Sequence, residues 1–259
     1  FNSGWGIALW RSCENLISRN RCDWCVRGYS HGVYDRGQDS AGILVFEQCC
    51  RNAFVENSAT HSGDGFFLYA GHETTQRTGE GGSNDNLVKG NDFGHAVANA
   101  IEATFSRGNR FVGNRCDDSN YGIWAGYSYQ TRIEGNTIAD NSVAGIAIEH
   151  GELNWIAENT LEDNPRAIWL WWDDDKDLLA SAFGKRHSCK SSGYMIVQKR
   201  LFRNQVELLL ESTSLWSVGE EGLDVQTKGD CPEGKISWPM FGGRQPDWMM
   251  RDFVLQKRE

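Results

Sequence analysis

Two glutamates have the types and spacing for acid–base work on an acetal linkage. Glu102 lies in Ala100-Ile-Glu-Ala, and Glu149 ends Gly145-Ile-Ala-Ile-Glu. Cleaving a glycosidic bond takes one protonated carboxyl to donate and a second, ionised one on the other side of the sugar ring. His150, directly after Glu149, could add an imidazole that titrates near neutrality. Phe67, Tyr69, Trp124, Trp169 and Trp171 recur at strand-like positions near these groups, and flat rings suit the apolar faces of sugars. Asp173, Asp174, Asp175 and Asp177 form an oxygen-rich cluster that could hold Ca²⁺, although the spacing is not that of an EF-hand loop. The alternative for each is an ordinary solvated carboxylate or a packing aromatic.

A repeat must position these residues. Asn20, Asn57, Asn91, Asn114, Asn136 and Asn159 recur along the chain, and five of them have a second Asn five residues earlier: Asn15, Asn52, Asn86, Asn109 and Asn154. Thr131 takes that place before Asn136. Each pair leads into a Gly/Ala-apolar-x-apolar segment such as Gly42-Ile-Leu-Val, Gly122-Ile-Trp-Ala or Ala167-Ile-Trp-Leu. The shorter repeats run 22 or 23 residues, and apolar residues alternate within the segments, which is a strand period. Three short strands per repeat give an all-β solenoid, a parallel β-helix of about eight rungs over residues 1–211. Stacked rung on rung, inward asparagines can hydrogen-bond to one another, whereas an isolated buried amide would be costly.

These Asn and Gly-Ile repeats resemble those of the right-handed parallel β-helix proteins, the pectate-lyase-like superfold, over roughly residues 1–210. The resemblance implies the fold. For activity it implies a range: polysaccharide lyases, glycoside hydrolases, uronate epimerases, phage tailspikes and binding proteins. In its lyases and epimerases a base removes a proton beside a uronate carboxylate that a cation or Arg neutralises. His150 or Tyr127 as base, with Arg107 as neutraliser, would match that logic. The polygalacturonase set departs: Asp117-Asp118 is present, but its other motifs do not follow in order, so no catalytic set transfers residue by residue.

Interruptions of the repeat suggest where a site lies. Insertions from His72 to about Gly82 and from Trp172 to about Lys190 leave the solenoid at the same corner, just after the Gly-Ile strand. Three unbroken rungs separate them, which predicts two walls with a three-rung floor. A third insertion, about 23–37, leaves from the opposite corner with Arg27, His31, Asp35, Arg36 and Asp39. If Ile101, Ile123 and Ile146 point inward, Glu102 and Thr104, Trp124 and Gly126, and Ala147 and Glu149 point out onto that floor, flanked by Phe67, Tyr69, Trp169 and Trp171. His72 would sit at the groove corner. At about 4.8 Å per rung and 3.3 Å per residue, the Cα atoms of Glu102 and Glu149 should lie about 12 Å apart, within side-chain reach of an inverting pair.

Charge narrows the partners. Net charge is −9 and the pI is near 5.2, which argues against nucleic acid or an anionic membrane. No apolar run is long enough to span a bilayer. Among the eight cysteines, Cys22-x-x-Cys25 lacks a second pair for zinc. Stacked or buried thiols are the expectation, with a disulfide open if the protein is secreted. Phe1 is no natural start and the repeat is already running there, so the sequence reads as a fragment or mature piece. Residues 212–259, with Pro232, Pro239 and Pro246, could cap the last rung or begin another module. The expectation is a protein that binds and cleaves a polysaccharide or oligosaccharide outside the cytoplasm: secreted, periplasmic or on the cell surface. A non-catalytic glycan-binding or structural module is the rival. Metal delivery by a copper-associated relative is disfavoured, because His and Met do not cluster in sequence.

Overall fold

The computed structural model describes residues 4–29, 31–33, 35–37, 39–197, 200–218, 224–229 and 231. Every paired strand among them is parallel to its neighbour. The strands stack into three sheets of nine, eight and three members, each sheet forming one face of a β-helix. The nine-stranded front sheet runs Trp5–Trp10, Ala41–Phe46, Asp64–Tyr69, Asn99–Ala103, Tyr121–Trp124, Ala144–Glu149, Arg166–Trp171, Val206–Glu211 and Val225–Lys228. It exceeds the expected eight rungs because Val225–Lys228 pairs beside Val206–Glu211, carrying the stack past residue 211. The remainder of the C-terminal stretch, from residue 232, lies outside the described residues.

The expected inward set is in place. Ile43, Phe66, Ile101, Ile123, Ile146, Ile168 and Leu208 are in register across successive front strands and fully buried. Their stacking forms one continuous apolar column, so each rung completes the core of the next.

Asparagine ladders hold the corners. Asn57 illustrates the unit. Its Oδ1 accepts from both the backbone N and the Nδ2 of Asn20, each at 3.0 Å. Its Nδ2 donates to Ile17 O and to Asn91 Oδ1, each at 2.9 Å. Every hydrogen-bonding position of the buried amide is filled. The pattern continues through Asn91, Asn114, Asn136 and Asn159. A second ladder runs from Asn15 through Asn52 and Asn86 to Asn109. Thr131 breaks it there, and Asn109 turns its Nδ2 to Ser106 Oγ at 2.9 Å. A third ladder, Asn141–Asn164–Asn204, is extended by Ser119, whose backbone N donates to Asn141 Oδ1.

The residue before each ladder position takes a left-handed backbone conformation, as at Gly90, Gly113 and Gly135, where glycine is suited to it. Glu56 and Glu158 adopt the same conformation without that advantage, at φ 55° and 53°.

These corners make opposite predictions. Asn114→Ala strands Val88 O and the Asn91 amides, so urea unfolding should show a loss of about 3–5 kcal/mol, from about 1–3 per orphaned group. Glu158→Gly, at an exposed left-handed position, should raise stability by about 1 kcal/mol.

Candidate functional site

The outward column of the front sheet is fixed by register. Leu44, Phe67, Glu102, Trp124, Ala147, Trp169 and Leu209 are direct neighbours on successive rungs. Glu102 therefore lies between Phe67 and Trp124. Two residues further along the strands, Phe46 neighbours Tyr69, and Glu149 neighbours Trp171. The aromatic strip expected from alternation is present, but its rings are half-buried because they pack on one another. Trp169 and Trp171 stack at 4.2 Å, Phe46 and Tyr69 at 5.5 Å, and the Arg166 guanidinium covers Trp169 at 4.8 Å. Ala147 and Thr104, expected on the open floor, are buried. Gly126 makes room for Trp124: a Cβ there would come within 2.7 Å of the indole.

Around Glu102 the sheet gathers acid. Asn99 Nδ2 donates to Glu102 Oε2 at 2.6 Å, and Asn99 N donates to Asp64 Oδ1 at 2.9 Å, so one asparagine bridges two carboxyl groups. Burial raises the Glu102 pKa from 4.5 to about 7, and the charge of Asp39 adds to the rise. Asp64 is pushed well above the usual carboxylate range by burial and by Glu102. Asp64 itself is only 6% exposed, so Glu102 is the member of the pair a ligand can touch.

Glu149 belongs to a second group, one corner away. Trp171 Nε1 donates to Glu149 Oε1 at 3.2 Å, and the Tyr127 hydroxyl also bonds this carboxylate. Burial and the negative charge of Glu149 raise the Tyr127 phenol above its ordinary value. Phe105, Tyr127 and His150 occupy the same corner on successive rungs. Their rings stack at 4.3 and 5.3 Å with interplanar angles of 9° and 11°.

The two insertions do not stand apart as walls. Phe183 N donates to Thr75 O at 3.3 Å, His187 Nε2 bonds Gly79 O at 2.9 Å, and Arg186 pairs with Glu80. They meet above the corner stack because Leu178, Phe183 and Cys189 form a small core on Phe105, Tyr127 and Tyr129. The result is a roof along one edge of the front sheet. Beneath it lies a small pocket open to solvent, lined by Tyr127, Tyr129, His150, Glu152, Phe183, His187 and Ser188. At the opposite edge, Gly37 of the third insertion packs against Val97 and Gly63.

The remaining expected site residues separate. Register leaves Glu149 two rungs and two residues from Glu102, as the repeat predicted. Arg107 is exposed beside Tyr129, past the corner, and is not gathered with Tyr127 and His150. His72 is exposed at the start of a single-turn π-helix, Glu73–Thr78. Of the acidic loop, Asp173 Oδ1 turns to His150 Nε2 at 3.4 Å. Asp175 caps the helix Lys176–Ala180 by accepting from Asp177 N and Leu178 N, and Asp174 is exposed. The expected aspartate cluster is thus split, because capping a helix draws Asp175 away from its neighbours. All eight thiols are free; Cys49 and Cys50 sit in the stack, accepting from backbone amides of adjacent rungs. Sequence reading missed Asn99 as the bridge. Its only signal is its position three residues before Glu102 on the same strand.

Parallel winding, the Asn and Gly-Ile repeats and the stacked sheets define the class of the protein as a β-helix. The model of the right-handed β-helix region matches residues 5–181, more than half of the chain, and the chain belongs to that family. No curated protein matches it. No helix among the described residues is long and apolar enough to cross a membrane.

The raised carboxyls carry a sign for stability. Folding binds the Glu102 proton more tightly than the unfolded chain does, so its contribution is full below about pH 4.5 and lost as pH rises through about 7. The urea midpoint should decline across that window, and Glu102→Gln should flatten the decline. A midpoint whose pH profile is the same in the variant would show that Glu102 titrates normally.

Proposed function

We propose that this β-helix is a carbohydrate-active protein that binds a polysaccharide along the front sheet and hydrolyses it, with Glu102 as the proton donor. The observation that carries the reading is a carboxyl held protonated to about pH 7 between two aromatic rungs, Phe67 and Trp124. A general acid works best with a pKa near the operating pH, and burial together with the charge of Asp39 supplies that shift. Glu149, beyond Trp124 on the same face, is the second carboxylate. Its separation of about 12 Å between Cα atoms suits the wider, water-accommodating spacing of an inverting pair. Trp124, Phe67, Tyr69, Trp169 and Trp171 offer ring faces for successive sugars.

Hydrolysis is favoured over β-elimination by where the alternative base lies. Tyr127 has a phenol raised by burial, His150 is buried, and Arg107 is not beside them. A polymer of sugars is met outside the cytoplasm, and we place the protein there: secreted, periplasmic or on the cell surface.

A polysaccharide panel read by new reducing ends and by ultraviolet absorbance of unsaturated uronides tests the proposal. Reducing ends without absorbance are expected, with turnover reduced about 10²–10⁴-fold in Glu102→Gln while glycan retention persists. Trp124→Ala should lower retention itself. Absorbing products would replace hydrolysis by elimination. Retention without any turnover in the wild type would make the protein a glycan-binding module.

A further inference from the structure

We infer that Glu149, His150 and Asp173 form a binding site for a divalent first-row transition ion such as Zn²⁺. One donor atom from each lies within 4.8 Å of the other two. The imidazole settles the chemistry. His150 Nδ1 faces the backbone carbonyl of Cys189, which can only accept, so Nδ1 is the donor and Nε2 is the nitrogen left to meet the carboxylates. That side chain is 1% exposed, and Nε2 has no hydrogen-bond partner although Asp173 Oδ1 stands 3.4 Å away. A buried ring nitrogen aimed at a carboxylate needs a positive charge between them, a proton or a metal ion, and Zn²⁺ titration tells the two apart.

Spacing and surroundings fit such an ion. Two donors about 2.1 Å from a tetrahedral centre stand about 3.4 Å apart, the separation found between His150 Nε2 and Asp173 Oδ1. A ligating histidine commonly donates its other N–H to a carbonyl, as His150 does to Cys189. Glu149 is steadied by Trp171 and Tyr127, as supported metal ligands are, and a bound ion would take this carboxylate out of the base role proposed above. Imidazole with two carboxylates suits a borderline ion such as Zn²⁺ better than Ca²⁺, which prefers an all-oxygen shell. Three protein donors leave a coordination position open, and the pocket under the roof adjoins His150. Glu149 and His150 belong to the rigid scaffold while Asp173 belongs to the insertion, so the ion would pin the roof to the helix.

A second imidazole–carboxylate group, His95 with Asp117 and Asp118, provides the internal control. There Arg115 already neutralises Asp117 at 2.7 Å. The test is calorimetric titration of the untagged full chain with Zn²⁺ and, separately, Ca²⁺, together with thermal melts. The result expected is one Zn²⁺ per chain, a rise in Tm with Zn²⁺, and no Ca²⁺ binding. Asp173→Asn, on an exposed loop where folding is not at stake, should weaken Zn²⁺ at least ~100-fold and abolish the Tm rise, while Asp118→Asn leaves both intact. His150→Gln, with its fold checked by circular dichroism, should behave like Asp173→Asn. No Zn²⁺ binding, binding indifferent to Asp173→Asn, loss in Asp118→Asn instead, or binding of Ca²⁺ alone would each overturn the assignment. None of these readouts depends on glycan turnover.

Discussion

The structure depends on amides that satisfy one another only when stacked. An inward Asn side chain brings two donors and an acceptor with two lone pairs into the core, a burial that is unfavourable unless all are met. In each ladder the neighbouring rungs meet them, as Asn57 shows with Asn20 and Asn91. This fixes axial register more strictly than apolar contact can. A slip of one residue would leave every amide of a column unpaired, whereas Ile123 stacked on Ile146 has no such direction. Left-handed corners are the local cost of the arrangement, tolerated even by glutamate at Glu56 and Glu158 because the ladder over-determines them.

Rigid register is what allows a carboxyl to be held at a perturbed pKa. Glu102 faces outward, where it would ordinarily be solvated. Its neighbours at one rung's distance are aromatic, and Asn99, three residues before it, ties it to Asp64. Packing removes water, and the charge of Asp39 makes removal of the proton harder still. Glu149 shares the face but meets different surroundings, with an indole N–H and a phenol bound to its carboxylate. Two glutamates on one sheet thus acquire unlike environments from the side chains stacked beside them.

What is legible in the sequence follows from periodicity. A repeat of 22 or 23 residues with alternating apolar positions specifies strands, inward columns and outward neighbours, so the repeat alone aligns Phe67, Glu102, Trp124 and Trp169. The third ladder is harder to see because Asn141 and Asn164 lie 23 residues apart but Asn204 comes 40 later, and Ser119 holds the preceding place. The insertions are legible as departures and not as shapes. Nothing in their spacing says that Phe183 and Leu178 will bury themselves on Phe105 and Tyr127, which closes two expected walls into one roof. Asp175 leaves the expected cluster for a related reason: helix capping is decided by local backbone geometry, which a run of aspartates does not reveal.

The corner after the front sheet explains why chemistry concentrates there. The same left-handed conformation that elsewhere precedes an inward Asn is occupied here by Phe105, Tyr127 and His150, at φ 47°, 58° and 50°. Their side chains leave the backbone in the same direction on successive rungs, so rings stack rather than scatter. An apolar stack at a solvent-facing corner needs a cover, and both long insertions depart from that corner. Covering it brings an acidic loop against a buried imidazole, joining Asp173 to His150 across insertion and scaffold. The repeat therefore supplies a ruler of fixed spacing, and the places where it is interrupted bring together groups that no single rung contains.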